Sequence, residues 1–134
     1  MKKKLGAAIA TIAALAATAI SAAPANASEY VACSTTGASG SISITNWSNP
    51  GANVGISIDL TDTSSDGHHV QIRVISQQYD GKRVNWSWRK NTSGAGTTKE
   101  WSTTAYDDRG LHEMGVQVAR FEGGTMLNSC TKWA

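Results

Sequence analysis

The stretch Val54-Gly55-Ile56-Ser57-Ile58-Asp59-Leu60 puts an aliphatic side chain at every second position and a small or acidic residue between. A strand with one face on a core and the other in water carries this period, because successive side chains leave the pleat on opposite sides. A helix needs apolar positions at mixed spacings of three and four, which strict alternation does not supply.

The same period continues in both directions. Ile42 and Ile44 carry it before this stretch. Val70, Ile72 and Val74, then Val84, Trp86 and Trp88, then Val116 and Val118 carry it after. Turn residues separate the runs: Asn49-Pro50-Gly51, Asp66-Gly67, Asp80-Gly81, Ser93-Gly94-Ala95-Gly96, Asp107-Asp108-Arg109-Gly110 and Gly123-Gly124. Asp-Gly supplies the positive φ angles of tight hairpins. Tyr79-Asp80-Gly81-Lys82 is therefore expected to join the Val70 and Trp86 strands, and Glu122-Gly123-Gly124-Thr125 to join the Val116 strand to a last one holding Met126 and Cys130.

Thr97 to Thr104, centred on Trp101, reads as a more exposed Thr-rich strand. Ser34 to Gly40 reads as a loose lead into the first full strand. Leu111 to Arg120 is no helix, since Gly110 and Gly115 interrupt it and Val116, Val118 and Phe121 favour a strand. About seven short strands with regular turns predict an all-β fold, a two-layer antiparallel β-sandwich of immunoglobulin-like type. Immunoglobulin domains bridge two central strands; here the cysteines lie near the chain ends, so a different connection is expected.

The N-terminus is set apart. Lys2, Lys3 and Lys4 precede an uncharged Ala- and Ile-rich run, and Ala25-Asn26-Ala27 offers small residues where a signal peptidase reads. This is the layout of a cleaved secretory signal peptide over residues 1–27, leaving one secreted domain over 28–134. The whole chain has 12 Lys+Arg against 10 Asp+Glu. Three of those lysines belong to the leader, so the remainder carries 9 against 10. The basic balance is a targeting property, and the general electrostatic case for nucleic acid or an anionic membrane goes with it. Cys33 and Cys130 are the two cysteines. An even count in an exported chain predicts a disulfide, here tying the first strand to the last.

No catalytic set emerges. His68, His69 and His112 sit in no nucleophile elbow, and both cysteines are expected to be oxidised. Glu29, Glu100, Glu113 and Glu122 have no spacing that pairs carboxylates. The acidic turns lack calcium-loop spacing, two thiols without a C-x-x-C make no zinc or redox motif, and no cofactor is expected.

The aromatic and cationic residues are the richest feature, with five tryptophans in the chain. In Val84-Asn85-Trp86-Ser87-Trp88-Arg89, alternation places Val84, Trp86 and Trp88 on one face, the two indoles about 7 Å apart along the strand. Arg83 and Arg89 fall on the other, more exposed face. Val84 favours a core position for at least one indole. Arg73, Arg83, Trp86, Trp88, Arg89 and Trp101 are the candidate binding residues, because Trp and Arg dominate protein interfaces and Trp also stacks on sugars.

The Lys-led, Ala-rich leader and the Trp86-Ser87-Trp88-Arg89 strand resemble the small secreted single-disulfide β proteins of actinobacteria. The endings Gly115-Val116-Gln117-Val118-Ala119-Arg120-Phe121 and Leu127-Asn128-Ser129-Cys130 add to that resemblance, which covers the chain from about Cys33 onward. The chain is also similar to the small adaptor subunit of secreted multi-protein toxin particles, a β domain that bridges a lectin-like subunit and a repeat stalk. Small size, a bridged β scaffold and the lack of a catalytic set lead to the expectation of a secreted, non-enzymatic protein-binding domain, adaptor- or inhibitor-like, whose partner is another secreted or cell-surface protein. Binding of polysaccharide through surface tryptophans is the alternative expectation, and a small secreted hydrolase the third.

Overall fold

A computed structural model describes residues 28–134, and every apolar run named above lies in a strand except the Val84–Trp88 run, which is interrupted at Trp86-Ser87-Trp88. The leader expected over residues 1–27 lies outside the described residues. The strands are β1 (Glu29–Thr35), β2 (Ala38–Thr45), β3 (Val54–Asp62), β4 (His69–Gln77), β5 (Arg83–Asn85), β6 (Arg89–Asn91), β7 (Thr98–Ala105), β8 (Glu113–Glu122) and β9 (Thr125–Trp133). No helix occurs among the described residues.

The strands form two antiparallel sheets. One has the order β1-β2-β3-β7; the other has the order β5-β4-β8-β9, with β6 also paired to β4. The orders β2-β3-β7 and β9-β8-β4 match strands A-B-E and G-F-C of an immunoglobulin-type sandwich, with β1 added outside the A position. Both predicted hairpins form: Gln77 pairs with Arg83 across the Asp80-Gly81 turn, and Glu122 pairs with Thr125.

The core lies between the sheets. Ile42 and Ile44 from β2, Ile56, Ile58 and Leu60 from β3, Ile72 and Val74 from β4, and Val116 and Val118 from β8 interdigitate there. Gly40 is a point of close approach. A Cβ on it would stand 2.7 Å from Ile72 Cδ1 and 2.8 Å from Val118 Cγ2, so β2 can lie this near the opposite sheet only without a side chain. Cys33 of β1 and Cys130 of β9 form the disulfide, with Cα atoms 6.1 Å apart. It joins the outermost strands of the two sheets along one margin of the sandwich.

Three expectations need correction. Ser34 to Gly40 is not a loose lead: it spans the end of β1, a turn at Thr36-Gly37 and the start of β2. Nine strands form among the described residues rather than about seven, because β1 is added and the Trp86 strand divides into β5 and β6. The division also overturns the shared face of Trp86 and Trp88. Asn85 pairs with Ile75, but Arg89 pairs with Ile72. Two β4 residues thus face three on the other strand, a β-bulge at Trp86-Ser87-Trp88 that shifts the alternation by one.

After the bulge, residues whose parity pointed outward point inward. Asn91 is fully buried and donates from Nδ2 to the carbonyls of Leu60 (3.3 Å) and Thr97 (2.9 Å) in the facing layer. Arg83 and Arg89 therefore do not share a face either.

Candidate functional site

The bulge sends the two indoles of Trp86-Ser87-Trp88 to different places. Trp86 turns toward the core, donates from Nε1 to Ser76 Oγ at 3.0 Å and packs on the buried cluster. Trp88 turns to the outside of the five-stranded sheet, where the Arg73 guanidinium carbon sits 4.3 Å from its ring centroid.

Residues of this outer face are unusually well covered. Gln71, Ile75, Gln117, Ala119 and Phe121 point away from the core yet are buried. They form a second, thin packed layer with the large side chains of the same face. Within it, Arg73 Nε donates to Gln117 Oε1 at 2.8 Å, and Arg83 Nη2 donates to the same oxygen at 3.2 Å. Arg83 Nε also donates to Asn85 Oδ1 at 2.8 Å, and its guanidinium carbon stands 5.9 Å from the Trp133 ring centroid. The result is a row running Trp88, Arg73, Gln117, Arg83, Trp133. Phe121 extends it, with its ring edge-on to Trp88 at 5.4 Å and stacked on His69 at 5.7 Å.

Backbone geometry allows this row. A Cβ at Gly115 would collide with the Lys132 carbonyl and press on the Trp133 ring, so the glycine lets Trp133 settle over β8. Gln117 on β8 is the register partner of Arg73 on β4, and Arg83 reaches the same oxygen across β4 from β5; Gln117 also donates to Ser129 Oγ of β9 at 3.4 Å.

The electrostatics are one-sided. Ion pairs among the described residues join Arg120 to Asp66 and Arg109 to Asp80, and neither touches this face. Arg73 and Arg83 have an amide, not a carboxylate, between them. Burial and the neighbouring Arg83 charge lower the pKa of Arg73, yet a guanidinium stays protonated at any physiological pH. Burial, then Lys90 and His68, hold His69 below the ordinary histidine value, so it is neutral at pH 7.

Of the six residues chosen from sequence, Arg73, Arg83 and Trp88 come together on this face. Trp86 and Arg89 belong instead to a pocket between the sheets. Trp101 is on β7 of the other sheet, beside Ile58 and packed on the core. Gln117, Phe121, His69 and Trp133 were not singled out by the sequence. The hairpin at Gly123-Gly124 was the available signal for Trp133, since it folds the chain end back beside β8. A polar pocket near the β3–β4 loop holds Asp62, Asp66, His68 and His69, but no group of three metal-binding side chains converges among the described residues.

The chain matches no protein-family model and no curated protein.

Proposed function

We propose that this is a secreted, non-enzymatic protein-binding domain of adaptor or inhibitor type, and that the outer face of the five-stranded sheet is its recognition surface. The observation that carries this reading is the Trp88–Arg73–Gln117–Arg83–Trp133 row, in which two guanidiniums are held by one amide oxygen and two rings with no carboxylate to neutralise them. Pre-ordered Arg and Trp lose little conformational freedom on binding and are the residue types that dominate interface energies. The partner surface is acidic, because it supplies the missing counter-charge. The disulfide suits an oxidising, extracellular setting.

Polysaccharide binding through paired rings has less support, since the bulge points Trp86 and Trp88 to opposite sides of the strand. The deciding experiment is capture from culture supernatant with the wild-type domain, Arg83→Ala and Trp88→Ala, alongside retention on insoluble polysaccharides. A stoichiometric protein partner that is lost with both variants supports the reading. Retention on polysaccharide with no protein captured refutes it.

A further inference from the structure

The bulge that turns Trp88 outward also opens a pocket on the other side of its strand. It lies between the sheets, along the margin opposite the disulfide, and has a volume of about 110 Å³. Ile56, Ile58 and Val74 form its buried floor, Trp86 is one wall, and Thr103 and Arg89 also line it. At about 30 Å³ per water-sized group the space suits roughly four methyl-sized groups. That is the bulk of an isobutyl group, and less than the roughly 150 Å³ that encloses benzene elsewhere.

Arg89 gives the pocket its sign. It is half-exposed and has no ion-pair partner among the described residues. A recess with an apolar floor and a polar rim that carries one guanidinium fits a ligand that is greasy at one end and anionic at the other, since a planar guanidinium receives a carboxylate in a fork of two hydrogen bonds. β-Bulges recur next to functional sites because they re-aim a side chain, and this one places Trp86 and Arg89 around one recess.

We propose that this pocket binds a short branched aliphatic carboxylate, with the alkyl group against Ile56, Ile58, Val74 and Trp86 and the carboxylate on Arg89. Two sources present that chemistry: a free branched acid, or the C-terminal leucine of a peptide. The site is separate from the outer face and stands whether or not that face binds a protein.

The test follows the Trp86 indole N–H signal by nuclear magnetic resonance, identified by its disappearance in Trp86→Phe. Isovalerate and N-acetyl-Gly-Gly-Leu are titrated against their uncharged counterparts, isopentyl alcohol and the same peptide as its C-terminal amide. At least one acid gives a saturable shift, with its neutral counterpart about tenfold weaker or more, the size of a charge-assisted hydrogen-bond pair. Whichever acid saturates at lower concentration names the source. Arg89→Gln weakens the acid by about tenfold while leaving the thermal melt unchanged. Should that variant misfold, Thr103→Leu fills the recess and abolishes the shift. Absence of saturation by both acids, equal binding of the neutral compounds, or retained affinity in either folded variant overturns the proposal.

Discussion

Trp86 and Trp88 are separated by one serine and do different physical work. Trp86 packs on the core and uses its N–H on Ser76, so Trp86→Ala leaves a void and an unpaired buried hydroxyl. Its unfolding free energy should fall by about 3 kcal/mol, the lower end for tryptophan truncation because the ring is only partly buried. Trp88→Ala removes an Arg73 contact and a Phe121 edge, worth about 1–2 kcal/mol together, and should affect partner binding more than stability. Paired denaturant melts distinguish the two, and equal losses would refute the division of roles. His69 offers a second check. Its folded pKa lies below the unfolded value of 6.5, so its contribution to stability is complete above that value and is lost as pH falls through the lower folded pKa. Lys90→Gln should raise the His69 midpoint in a proton titration without restoring 6.5, since burial is the larger cause.

At the scale of elements, alternation was legible wherever inward positions carried bulky aliphatic side chains, as in β3 and β4. It failed at β1, whose buried positions are only Val31 and Cys33, and at the start of β2, where the buried inward positions are Ala38 and Gly40, too small to register as an apolar stripe. The bulge was illegible for a different reason. Val84 to Arg89 alternates without interruption and holds no glycine or proline; what displaces it is the pairing demand of β4, which sets Asn85 against Ile75 and Arg89 against Ile72. The row on the outer face was only half legible, because Gln117 and Trp133 join it through strand neighbours distant in sequence. Gly40 tests how tightly β2 is pressed onto the opposite sheet. Gly40→Val should cost about 1–3 kcal/mol by overpacking against Ile72 and Val118, measured by denaturant melts, whereas a neutral outcome would mean the sheets separate easily at that point.

For the whole molecule, the disulfide closes 97 residues of sequence separation. In the chain-entropy model such a loop contributes about 4–5 kcal/mol, so the Cys33→Ser, Cys130→Ser double variant should lose stability on that order in chemical denaturation. A loss near zero would place the stabilisation elsewhere. The position of the bond matters as much as its size. Because it fastens the outermost strands β1 and β9, the sandwich is bound like a book, with its spine at the cystine and its fore-edge where β7 faces β5 and β6. Thermal opening is then greatest at the fore-edge, and the recess beside Trp86 lies along it. Amides of β6 and β7 should exchange with solvent ahead of those flanking the spine, and cutting the spine by reduction should let both margins fan apart alike.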